Sequence, residues 1–143
     1  MISVAEPVLG EDEKAALSEV IEAGWITMGE RVQRFERAFA RAHDADDAVA
    51  VGSCTAGLHL ILAALGIGPG DEVLVPSLTF VATANSVLYT GARPVLVDIH
   101  SAGEPLISLS DAEAKVGPRT RAVILVHYAG YACDEARWRD FAS

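Results

Sequence analysis

The stretch Val49-Ala50-Val51-Gly52-Ser53-Cys54-Thr55-Ala56-Gly57-Leu58-His59-Leu60-Ile61-Leu62-Ala63-Ala64-Leu65 decides the fold. A short β-branched run stops at a glycine, small hydroxylated residues follow, and an apolar run of helical length begins at once. The first N–H groups of such a helix have no partner inside it and stand beside Ser and Thr hydroxyls, so the turn is a ready cradle for an anion. An ordinary strand-to-helix turn, with Ser53 or Thr55 acting only as a cap, has the same local pattern. Cys54 reads either as a small residue tolerated in a tight turn or as a nucleophile activated at a helix start.

Outward from this stretch the chain alternates between helix and strand. Upstream, residues 11–23 place Glu11, Asp12 and Glu13 in a first turn, Leu17, Val20 and Ile21 at helical spacing, and Gly24 as a stop. Trp25-Ile26-Thr27-Met28-Gly29 is a short loop in which Trp25 is a core anchor or the wall of a pocket. A second helix carries Val32, Phe35 and Phe39 on one face, with Arg31, Arg34, Arg37 and Arg41 around it as a solvated face. Downstream, Gly66-Ile67-Gly68-Pro69-Gly70-Asp71 has the outline of a dinucleotide fingerprint, but it follows a helix and leads into a strand. That is the reverse of the motif's setting, and it reads as a turn. No Gly-Lys-Ser/Thr occurs, which excludes a nucleotide-hydrolase phosphate loop.

A strand over 72–75 follows, and Pro76-Ser77-Leu78-Thr79-Phe80 turns the chain into a helix over 81–90 that Gly91 ends. Further strands are expected over 94–97, ending at Asp98, and over 122–126, ending at His127-Tyr128. Between them a polar, proline-containing loop enters a short helix over 110–115, and residues 134–141 begin another crossover helix. Near-continuous apolar strands separated by helices predict an α/β fold with a mostly parallel sheet covered on both faces. Ligands of such sheets bind beyond the carboxyl ends of the strands. The cradle at 53–56, Phe80, Asp98 and His127 all fall at strand ends.

Composition narrows the function. Apolar residues make up 51% and charged residues 22%, a globular balance, and no apolar run reaches the roughly 18 residues of a membrane span. A net charge of −9 without a dense Lys/Arg cluster argues against a nucleic-acid partner. The start, Met1-Ile2-Ser3-Val4-Ala5-Glu6-Pro7, has no basic flank before an apolar core, so no secretion signal is expected and the cytoplasm is the default location. Cys54 and Cys133 form no CxxC, and neither a metal site nor a disulfide is indicated. A phosphate at the cradle with a flat ring beside Phe80 would suit a phosphorylated aromatic cofactor.

Several motifs in order make the sequence similar to the DegT/StrS-like family of pyridoxal-phosphate-dependent sugar aminotransferases, members of the aspartate-aminotransferase fold. They are Gly24-Trp25-Ile26 with Gly29, Phe35-Glu36, Ser53-Cys54-Thr55-Ala56, Leu65 through Val73, Pro76-Ser77 with Thr79-Phe80-Val81-Ala82-Thr83, Gly91-Ala92 with Pro94, and Val126-His127. The resemblance implies part of the three-layer α/β/α large domain. Residues 1–45 would be N-terminal helices with a substrate and dimer loop, and 46–143 the first half of the pyridoxal-phosphate domain. It also implies phosphate contacts at Cys54, Thr55 and Ala56, stacking of Phe80 on the pyridine ring, and Trp25 at the border of the sugar-nucleotide pocket. The partners it implies are a nucleotide-linked keto sugar and an amino-acid donor, in an enzyme that is a homodimer when complete.

Cys54 departs from the family's usual glycine or other small residue. In the family a Lys forms the Schiff base and an Asp pairs with the pyridine nitrogen, and both motifs lie downstream of Ser143. Lys14 and Lys115 match neither, so no catalytic residue is assigned and the chain alone is expected to be inactive. His127 at a strand end reads as a residue that orders the pocket rather than a substitute for the Lys. A sugar dehydratase of the same family, and a non-catalytic chain that binds phosphate ligands or a full-length paralogue, are the alternative readings. The family's sheet order leaves the strand expected at 48–51 without a neighbour, while the later three strands can pair and the fourth exposes an apolar edge.

Overall fold

The computed structural model describes residues 6–143; residues 1–5, which carry most of the stretch read for a secretion signal, lie outside it. The chain divides into two compact units, one ending at Ala50 and the other spanning Val51–Ser143. Among the described residues no helix is long and apolar enough to cross a membrane.

The first unit is a pair of helices. α1, Glu11–Ala23, opens where the Gly10 N–H donates to Glu13 Oε2 at 2.6 Å, a bond that also holds the Glu13 carboxyl below the usual range. It closes at Gly24, whose φ of +68° lets its N–H turn back to the Ile21 carbonyl. α2, Glu30–Ala42, sets Phe35 and Phe39 side by side with ring centroids 5.8 Å apart and buries Ala40. Arg31 pairs with Glu19 of α1, and Arg34, Arg37 and Arg41 stand in solvent.

Residues 48–51, expected as a strand, run in no ladder. A β-branched pattern becomes a strand only beside another backbone, and here Glu36 Oε1 takes the Ala50 N–H instead, at 2.8 Å.

The second unit is built on three parallel strands, β1 Glu72–Pro76, β2 Arg93–Val97 and β5 Thr120–Val123, in the order β2-β1-β5. β1 is central and wholly buried. Val73 and Val75 face a core with Leu62, Ile67, Val87 and Ala92, while Leu74 faces a second core with Val97, Ile107, Ala112 and Trp138. Each buried aliphatic side chain contributes about 1.5–3 kcal/mol. α3 Cys54–Ala64 and α4 Ala82–Tyr89 supply Leu62 and Val87 to the first core, and α5 Leu109–Lys115 and α6 Glu135–Ala142 supply Ala112 and Trp138 to the second, which gives three layers. Pro94, which has no N–H to donate, sits in β2 on the rim of the sheet.

Two expectations need correction. β5 stops at Val123 rather than Val126, because β1 offers its last match where the Ile124 N–H reaches Leu74 O at 2.9 Å and the chain then turns away. The polar loop expected before α5 is an antiparallel hairpin, β3 Ile99–Ser101 and β4 Glu104–Ile107. Its turn, Ala102-Gly103, is short enough to return the chain on itself.

At the amino edge one carboxylate joins all three strands. Glu72, buried at the start of β1, pairs with Arg93 at the start of β2 (2.5 Å) and with Arg119 just before β5 (2.6 Å). The Arg93 hydrogen bond, with Arg119 adding to it, holds the Glu72 carboxyl below its ordinary value.

Candidate functional site

The two helices that follow the cradle and Phe80 both end at the amino edge of the sheet. Gly68 and Pro69 lead from α3 into β1, and a Cβ on Gly91, which leads from α4 into β2, would lie 3.0 Å from Pro69 Cγ. Gly68 likewise lies against the Thr90 carbonyl at the end of α4. With their ends at that edge, α3 and α4 both begin toward the carboxyl edge. There residues 53–56 and Phe80 join Ser77, Asp98 and His127, which follow the parallel strands.

At the cradle, Ser53 is the N-cap of α3 and its Oγ accepts the Ala56 N–H at 3.1 Å. The Gly57 N–H reaches Ser53 O. Of the amides at 54, 55 and 56, that of Ala56 is therefore satisfied within the turn. Those of Cys54 and Thr55, the first two of the helix, have no intrahelical acceptor. Ser53 and Cys54 are exposed and Thr55 is half-buried, so the amides and the Thr55 hydroxyl border solvent. This donor set suits a dianionic phosphoryl group, which the helix dipole also favours.

Phe80 stands between β1 and α4 with 75% of its surface exposed, a large aromatic free to cover a flat ring. Its carbonyl accepts the Thr83 N–H at 3.0 Å, and Thr79 Oγ1 meets Thr83 Oγ1 at 2.8 Å, so the turn that carries it is tied to α4 on both sides. Ser77 donates its N–H to Val97 O at 2.7 Å and its Oγ lies 3.4 Å from Asp98 Oδ1. The Asp98 N–H in turn donates to Asp111 Oδ2 at 2.6 Å, and Lys115 Nζ donates to the same oxygen at 2.6 Å and to Leu96 O at 2.9 Å. Lys115 and the Asp98 amide together hold the Asp111 carboxyl below its ordinary value.

Lys115 is bound to β2 and α5, and Lys14 pairs with Glu11 on α1. The bonds of Asp111 to the Asp98 amide and of Lys115 to Leu96 O carried no signal in the sequence, because those partners are backbone groups outside the helix. His127 Nδ1 accepts the Cys133 N–H at 3.0 Å.

Trp25 lies in the first unit, 65% exposed, with its Nε1–H donated to Met28 O at 3.1 Å. A Cβ on Gly29 would lie 2.5 Å from its ring, so glycine there is what lets the indole fold back over its own loop. That spacing, Trp followed four residues later by Gly, was visible in the sequence; the reason for it was not.

The sequence pattern of the DegT/DnrJ/EryC1/StrS aminotransferase family matches residues 7–143. This chain belongs to that family. Relatives of the DegT/DnrJ/EryC1/StrS chain include the spore coat polysaccharide biosynthesis protein SpsC of Bacillus subtilis, 48% identical over 130 residues, which are 90% of this chain and 33% of that protein.

Among solved structures, DesV of S. venezuelae matches with a TM-score of 0.87 at 39% identity, over 92% of this chain and 35% of that one. A sugar aminotransferase of Streptococcus pneumoniae, solved in apo, PMP and PLP forms, matches with a TM-score of 0.91 at 32% identity over 97% and 35%. The 3-amino-5-hydroxybenzoic acid synthase matches with a TM-score of 0.89 at 35% identity over 96% and 36%. The α/β architecture is thus that of the pyridoxal-phosphate aminotransferases over about a third of their length.

Proposed function

We propose that this chain is the cofactor-phosphate part of a pyridoxal-phosphate sugar aminotransferase that acts on a nucleotide-linked keto sugar with an amino-acid donor. The observation that carries the reading is the pair of amides at exposed Cys54 and half-buried Thr55, which have no intrahelical acceptor, on the same sheet edge as the exposed ring of Phe80. In it, Cys54, Thr55 and Ala56 hold the phosphate of the cofactor, with Ala56 sharing its N–H with Ser53. Phe80 covers the ring, and Trp25 with its loop contacts the sugar nucleotide. When bound, pyridoxal phosphate supplies the electron sink that transamination needs. Residues 1–45 serve the substrate and the dimer, residues 46–143 serve the cofactor, and the enzyme works in the cytoplasm as a homodimer.

By itself the 143-residue chain holds the cofactor without turning it over, since neither Lys14 nor Lys115 matches the family's Schiff-base lysine. The test is a titration with pyridoxamine phosphate, which has no aldehyde to react with stray lysines. Binding that inorganic phosphate competes away, and that Phe80→Ala weakens about tenfold, the order of one aromatic contact, is the expected result. Binding insensitive to both overturns the assignment. Turnover by the chain with pyridoxal phosphate, glutamate and a keto-sugar nucleotide would overturn the statement that it is inactive alone.

A further inference from the structure

The loop after β5 carries a bond that the cradle does not need. His127 Nδ1 accepts the Cys133 N–H at 3.0 Å, across six positions of chain. Between the two, residues 128–130 lie in two overlapping turns: the Gly130 N–H reaches His127 O at 3.1 Å and the Tyr131 N–H reaches Tyr128 O at 3.0 Å. Ala129 and Gly130 have φ of +53° and +85°. An alanine takes up that conformation only where its surroundings hold it there.

At the far end Cys133 is buried in the second core, its Sγ directed at Val126 O at 3.6 Å, whereas Tyr128 and Tyr131 are exposed. The loop is therefore anchored through one side chain and one buried residue, and its aromatics face water. An N–H donor needs a lone pair, so His127 Nδ1 is unprotonated and the ring proton sits on Nε2.

We infer that His127 is a positioning residue whose Nδ1, through the Cys133 N–H, latches the 128–133 loop closed and so fixes Tyr128 and Tyr131 as an aromatic wall at the carboxyl edge. Exposed tyrosines offer a ring face and a hydroxyl, the chemistry that takes the base or sugar of a nucleotide. The identity of that ligand rests on the function proposed above; the latch does not.

The latch is tested first on the unaltered chain, labelled with 15N. The His127 Nδ1 resonance is expected to be of the pyridine type, and the Cys133 amide to exchange more slowly than that of Ala132. In a Cys54→Ser background, which leaves Cys133 as the single thiol, His127→Ala is expected to raise the rate of disulfide-reagent labelling about tenfold, the order of one part-buried hydrogen bond. His127→Asn, which restores a side-chain acceptor, brings the rate back toward that of the parent. A protonated Nδ1, a Cys133 amide as labile as its neighbour, or equal labelling of the Ala and Asn variants overturns the latch.

The wall is tested by Tyr131→Ala. Weaker binding of a nucleoside diphosphate with unchanged binding of pyridoxamine phosphate supports it. Unchanged nucleotide binding overturns it and leaves the cofactor assignment standing.

Discussion

Ser53 and Gly29 show how single residues prepare the two proposed recognition elements. Ser53 spends its hydroxyl on the Ala56 amide, so Ser53→Ala removes a helix cap and costs about 1 kcal/mol, to be read as a lower urea midpoint at unchanged slope. Gly29 has an extended backbone that any residue can adopt, yet a methyl there meets the indole of Trp25. Gly29→Ala is therefore expected to displace the ring while leaving overall stability within about 0.5 kcal/mol. With Trp138 replaced by Phe, the emission of Trp25 reports the displacement. The sequence made both positions conspicuous, as a hydroxyl before an apolar helix and a glycine after a tryptophan, but not that Ser53 would already occupy one of the three proposed phosphate donors. That depends on a distance, which spacing does not encode.

At the level of the element, the buried strand and the helices around it were readable because each is written in one unmixed pattern. Val73-Leu74-Val75 is a run with both faces apolar, and the stops at Gly24 and Gly91 have positive φ as their positions require. The hairpin of β3 and β4 escaped because β3 is only three residues long with two of them polar, Pro105 speaks against a strand in β4, and the burial there falls on too short a run, Leu106 and Ile107, to show alternation. Residues 48–51 erred the other way, with a strand's composition and no neighbour.

Gly91 gives a sharp test at this level. Its φ is +82° and Pro69 closes the space a side chain would need, so Gly91→Ala is expected to cost about 1–3 kcal/mol, read by urea denaturation. Glu72 gives another. Its pKa is depressed in the folded state, so the stability it contributes is complete above the ordinary glutamate value of 4.5 and is lost as pH falls through the lowered one. Glu72→Gln should flatten that acid limb of the stability profile, and a mutant profile as steep as the parent's would refute the assignment.

Across the molecule, a net charge of −9 opposes the approach of a dianionic phosphate. Association of pyridoxamine phosphate is therefore expected to quicken as salt rises from about 10 mM, where the screening length is about 30 Å, to about 150 mM, where it is about 8 Å. Stopped-flow rates that fall with added salt would place a local positive field at the cradle strong enough to outweigh the whole.

The ion triad at the amino edge bears on how such proteins diversify. Glu72, Arg93 and Arg119 fasten the strands at the rim away from the cradle, so residues 77–81, 98–105 and 128–132 hang from a frame held at its opposite end, with Ile107 and Cys133 anchored in the second core. Chimaeras that graft these residues from a homologue, leaving Ile107 and Cys133 in place, should keep the parent's unfolding midpoint while changing the molecules they retain, which makes the carboxyl rim the natural place to re-engineer selectivity.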